Sequence, residues 1–149
     1  SGDSGFLFLG KSESGKSTIF KKLSELFVGG NEDLNFVVAK DDKYLLYSTP
    51  FCHPQKVDFS EIKNTSAECR KVFMLKKLYG KSSFTEKIED KEAVWKFLLN
   101  ETGMPLNIKY YGSYFEMISE FVERNEFYTL WHNINDLPPF VAEVIKNAH

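Results

Sequence analysis

The run Gly10-Lys11-Ser12-Glu13-Ser14-Gly15-Lys16-Ser17 limits what this chain can fold into more than any other feature. It fits the pattern G-x-x-x-x-G-K-[ST], a loop that belongs between a strand and a helix. Both neighbours are present. Residues 5–9 (GFLFL) form a short apolar run that reads as a buried strand ending in a turn. From Ser17 to Phe27, the residues Ile19, Phe20, Leu23, Leu26 and Phe27 fall at helical spacing, and Gly29-Gly30 stops the helix. Gly10 permits a sharp turn after the strand, and Gly15 lets backbone approach an anion closely. The loop amides and the start of the helix present several N–H donors and a partial positive charge. Lys16 adds a full charge suited to β and γ phosphates, and Ser17 adds a hydroxyl suited to Mg²⁺.

Beyond residue 30 the pattern changes. LNFVVAK and KYLLYSTPF look extended, with Asp41-Asp42 as the turn between them, and Pro50 and Pro54 argue against a continuous helix. From Thr65 onward the spacing predicts helices. Thr65 and Glu68 pair as a capping box ahead of Val72, Phe73, Leu75 and Leu78, with Gly80 as the stop. Asp90 is placed to cap a helix carrying Val94, Trp95, Phe97 and Leu98, closed by Thr102-Gly103. Ser113 and Glu116 form a second capping box before Ile118, Phe121 and Val122, and a last helix follows Pro139. The expected fold class is an α/β P-loop NTPase start (strand, P-loop, helix) followed by a mostly α-helical domain, that is, an incomplete Ras-like domain.

Composition narrows the partners. The 149 residues suit one ordinary domain, and 42% hydrophobic residues allow a sizeable core. A net charge of −2 argues against a nucleic-acid binder, which needs a basic stripe. Cys52 and Cys69 lack metal-ligand spacing, as do His53, His132 and His149, so reduced thiols in a cytoplasmic chain are expected. No apolar run approaches the roughly 20 residues of a membrane span. Lys21-Lys22 and Lys76-Lys77 read as solvated helix faces, and Trp95 and Trp131 as core.

The run FLFLGKSESGKSTIFKKL resembles the P-loop of heterotrimeric G-protein alpha subunits, whose pattern is LLLLGxGESGKST followed by an amphipathic helix. Glu13-Ser14-Gly15-Lys16-Ser17-Thr18 matches letter for letter, whereas Lys11-Ser12 stands where that family has small residues. Lys56-Val57-Asp58-Phe59, with Ala67, Arg70, Val72, Phe73 and Leu75, is similar to the family's K-[IV]-D-F…R-x-[LV]-F-x-L. Leu98, Glu101, Gly103, Tyr114 and Ser119 are similar to a stretch that includes an Asp-Ser pair beside the nucleotide, with Ile118 in place of the Asp. Residues 139–148 are similar to the segment that carries the catalytic arginine, where this chain has Ala148.

The resemblance implies a P-loop segment at 1–30, a linker of unassigned structure at 31–58, a helical domain at 59–145 and the start of a linker at 146–149. It implies GDP or GTP with Mg²⁺ as ligands. Gly10, Glu13, Ser14, Gly15, Lys16, Ser17, Thr18 and Ser119 would contact the nucleotide, and Ser17 the metal. It also implies a signalling GTPase with βγ subunits, a G-protein-coupled receptor and effectors as partners, at the inner face of the plasma membrane. The catalytic arginine and the DxxGQ and NKxD motifs are missing from the sequence, so GTP turnover by this polypeptide is expected to be slow: loss of the arginine alone costs ~10³–10⁵ in rate. Two other readings stay open, a P-loop ATPase or kinase and a non-catalytic helical interaction module.

Overall fold

A computed structural model describes residues 4–23, 35–48 and 66–146. Its elements run β1 (Ser4–Leu9), α1 (Lys16–Leu23), β2 (Asn35–Lys40), β3 (Lys43–Ser48), β4 (Ser66–Lys77), β5 (Phe84–Lys87), α2 (Lys91–Glu101), α3 (Tyr111–Arg124), β6 (Phe127–His132) and α4 (Leu137–Lys146).

The strands make one mixed six-stranded sheet built around β4. β4 pairs antiparallel with β3 along its start, parallel with β1 from Glu68 to Met74, and parallel with β6 from Val72 to Lys77. β2 and β5 lie outside, antiparallel to β3 and β6 respectively. Asp41 and Asp42 join β2 to β3 with φ of 48° and 63°. Two consecutive positive φ values make the two-residue hairpin turn whose twist suits a sheet, and aspartate tolerates that region better than most residues.

The expected fold class is therefore corrected: the region after the P-loop helix is not a mostly helical domain. Residues 66–77, assigned to a capped helix by their spacing, are the central strand. The deciding feature is Val72-Phe73-Met74-Leu75, an unbroken apolar run. A helix with one wet face would interrupt such a run, but a strand covered on both faces needs it. Val72, Phe73 and Leu75 are all buried, and successive side chains enter different cores. Phe127–His132, half of it aromatic, is likewise a strand. β1, β4 and β6 thus run parallel in one sheet.

Side-chain alternation sorts the helices into two layers. On one face Val72 and Phe127 meet α2 and α3 through Val94, Leu98, Tyr114, Ile118, Phe121 and Val122. On the other, Phe73, Leu75 and Leu130 meet α1 and α4 through Ile19, Leu23, Leu137 and Val141. β1 serves both, with Leu7 and Leu9 on the first face and Phe6 and Phe8 on the second.

Several local expectations hold. Asp90 caps α2 by accepting from Ala93 N–H at 2.9 Å, and Thr102 closes it through Leu98 O. The Ser113–Glu116 capping box is corrected. α3 starts at Tyr111, directly after a 3₁₀ turn over Ile108–Tyr110 whose cap is Asn107. Gly80 turns the chain at φ 70° after a strand, not after a helix. Gly29-Gly30, Pro50, Pro54, Lys56–Phe59, Thr65, Ala148, Cys52, His53 and His149 lie outside the described residues. Among the described residues no helix is long and apolar enough to cross a membrane.

Candidate functional site

The carboxyl ends of the parallel strands β1, β4 and β6 meet at the loop between β1 and α1. In open α/β sheets this edge is where ligands bind. The loop takes the shape its residues suggest. Glu13 has φ 66° and Gly15 φ 101°, the left-handed steps that turn successive N–H groups toward one point. Ser14 N–H bonds Lys11 O at 3.1 Å, and Ile19 N–H bonds Gly15 O at 2.9 Å, which starts α1. The Lys16 ammonium folds across the loop and donates to Gly10 O at 2.5 Å and to Lys11 O at 2.9 Å. The charge therefore sits over the concavity and braces it.

Contacts require both fixed glycines, and at Gly15 the conformation does so as well. A Cβ on Gly10 would lie 2.2 Å from Ser14 Oγ and 3.3 Å from Leu75 Cβ. A Cβ on Gly15 would lie 2.8 Å from His132 Cε1 and 3.1 Å from His132 Nε2, with Lys77 Cε at 3.7 Å. Gly15 thus admits both the anion approach expected from the motif and the histidine ring behind the loop.

His132, the last residue of β6, is 4% exposed, and its Nε2 lies 2.9 Å from Ser14 O. A carbonyl only accepts, so Nε2 carries the proton. The buried Nδ1 then has no partner among the described residues, and neither has the buried Ser14 Oγ. Lys77 is aligned with His132 across the β4–β6 ladder. Its neighbour Lys76 turns away and lies 4.8 Å from the centre of the Trp131 ring.

A polar clamp holds these strand ends. Asp136 accepts from Ser83 N–H at 2.9 Å and from Ser83 Oγ–H at 2.5 Å. Ser83 Oγ in turn accepts from Asn133 N–H at 2.8 Å, and Asn133 Nδ2 donates to Lys81 O at 2.9 Å. The Ser83 hydroxyl and amide hold the Asp136 carboxyl below its usual range.

The structure gathers Gly10, Glu13, Ser14, Gly15, Lys16 and Ser17 in this loop and first turn, and Thr18 follows them, exposed, on α1. Ser119 is not among them. It lies on α3, in the helix layer opposite α1, where its Oγ accepts from Trp95 Nε1–H at 3.1 Å. In the sequence His132 reads as a histidine without ligand spacing and Lys76-Lys77 as a solvated helix face. Lys77 instead ends the strand β4, and His132 is a buried strand residue. The signal that could have found them is a strand reading of residues 72–77 and 127–132, which brings both to the same end of the sheet as Gly10.

The expected Mg²⁺ finds a poor fit here. P-loop sites that hold Mg²⁺ add an aspartate to the loop hydroxyl. The strand ends bordering this loop present Lys77 and His132, and no group of three or more His, Cys, Asp or Glu gathers among the described residues. No family model, curated protein or solved structure matches the chain significantly.

Proposed function

We propose that this protein binds the phosphates of a nucleotide in the loop from Gly10 to Ser17. The observation that carries the reading is the loop's conformation. Left-handed steps at Glu13 and Gly15 precede a helix start, beneath the Lys16 ammonium, at the carboxyl edge of a partly parallel sheet. Such a concavity offers backbone donors, a helix N-terminus and a cation to one anion. On binding, Lys16 would exchange its two carbonyl partners for phosphate oxygens. We take a guanine nucleotide as the first candidate, because the Glu13–Thr18 run matches that of the G-protein alpha subunits letter for letter. Signalling through βγ subunits, receptor or effectors, and GTP hydrolysis, rest on that resemblance alone.

A thermal shift measures binding without an assumed reaction. A ligand at 100 times its Kd adds about 2.7 kcal/mol to native stability. GDP and GTP should raise the melting temperature of the wild type and leave Lys16→Ala unmoved. Equal shifts in both proteins would remove the loop from the binding site. Competition by ATP as effective as GTP would remove the guanine preference and favour an adenine-nucleotide protein.

A further inference from the structure

We propose that the site takes its phosphates without a divalent cation, and that Lys77 at the end of β4 supplies the positive charge a metal would otherwise bring. This rests on the P-loop reading above and adds the source of the second charge.

Three observations converge. Lys77 Cε lies 3.7 Å from the point where a Gly15 side chain would begin, next to the His132 ring, which sets the exposed Lys77 stem against the loop. Among the described residues Lys77 has no carboxylate partner. The ion pairs found there join Lys43 and Arg70 to Glu68, Lys87 to Glu126, Lys96 to Glu92 and Arg124 to Asp42, all away from the loop. At this end of a chain with net charge −2, Lys11, Lys16 and Lys77 lie with Glu13 and with Asp136, whose carboxylate is taken up by Ser83.

The second observation concerns buried groups rather than charge. His132, more than nine-tenths buried, holds Ser14 O while its own Nδ1 stays unpartnered, and Ser14 Oγ beside it is also unpartnered. Buried polar atoms without partners are uncommon in folded chains, and a bound ligand, ion or water is one way of completing them. The third is the strand-end chemistry. The position that lies across from His132 carries an ammonium instead of a carboxylate. An ammonium repels Mg²⁺ and attracts phosphate. With Lys16 it places two cations around one polyphosphate, which neutralises most of a diphosphate's charge without metal. Lys77 acts as a point charge on a flexible stem, so a second cationic side chain of similar reach should replace it.

The experiment is calorimetric titration of the full chain with inorganic pyrophosphate and with GDP, first in EDTA and then in excess Mg²⁺. The wild type is expected to bind both ligands in EDTA within about twofold of its affinity in Mg²⁺. Lys77→Met should lose roughly tenfold or more, the scale of a charge-assisted contact, and Lys77→Arg should recover most of it. The unliganded melting temperature of each variant checks folding, and Lys77 is exposed, so little change is expected there. Binding by the wild type only in Mg²⁺, or equal affinity in Lys77→Met and the wild type, overturns the inference and leaves the P-loop reading standing. Loss of binding in Lys77→Met that Lys77→Arg does not restore overturns the charge role. Absence of any binding by the wild type overturns both readings.

Discussion

The two helix-bearing regions of this protein treat their polar groups in opposite ways. In the α2–α3 layer nearly every polar group near the core is occupied within the fold. Asp90 caps the start of α2, Thr102 Oγ1 reaches Leu98 O at 2.7 Å, and Thr102 shares a hydrogen bond with Tyr114 Oη at 2.6 Å. The Lys91 ammonium closes the end of α3 by donating to Val122 O, and to Asn125 O at 3.0 Å. Among the described residues only Tyr44 Oη is left over beneath α3. At the loop end, by contrast, Ser14 Oγ and His132 Nδ1 are both without partners among the described residues, and two left-handed backbone steps, at Glu13 and Gly15, are maintained within three residues. Strained backbone persists only where its surroundings over-determine it. The α2–α3 layer thus stabilises the sheet, whereas the loop end spends part of that stability on a preformed concavity.

The largest test of this division lies in the α2–α3 layer. Leu98 is 4% exposed in that core. Leu98→Ala should lower the unfolding free energy by about 2–5 kcal/mol, read by denaturant titration, while the folded fraction keeps its pyrophosphate affinity. A drop in affinity of the folded protein would show that the two regions are coupled.

The reciprocal change comes next. Gly15→Ala imposes a left-handed strain and drives a methyl into the His132 ring. It should cost about 1–3 kcal/mol of stability and abolish pyrophosphate binding. Retained binding would mean that the loop can relax, and that its observed shape is not the binding shape.

The smallest effects separate the regions by pH. Asp136 titrates below the ordinary value of 3.8 because of the Ser83 hydroxyl and amide. A depressed carboxyl contributes stability above its unfolded value, and that stability is lost as pH falls through the folded value. Acid should therefore loosen the loop end, and Ser83→Ala should flatten the acid limb of melting temperature against pH. Burial, aided by Glu68, pushes the Cys69 thiol in the α2–α3 core from 9.0 up to about 12. A raised thiol contributes fully below 9 and loses its contribution as pH rises toward 12. The alkaline limb should be shallower in Cys69→Ala. Unchanged limbs in both variants would remove these groups from the pH response.

Local chemistry made part of this legible in advance. The strand at 5–9, the loop, the helix carrying Ile19 and Leu23, the Asp41-Asp42 turn and the Asp90 cap were readable because each depends on residues a few positions apart. The reading failed at Val72–Leu75, where helical spacing and a doubly buried strand both fit a short apolar run. Length and neighbouring polar residues did not separate them. One wrong assignment removed β4, and with it the register that places Lys77.

The curl of Gly10 to Ser17 is written locally, in two glycines five positions apart, a lysine and a helix start. What stands beside the curl is set by long-range packing. Ser14 and His132 lie 118 positions apart, and their contact exists because β1, β4 and β6 run parallel in one register. Parallel pairing is set by which apolar faces bury against α1, α4, α2 and α3 together, a condition that no single stretch of sequence states.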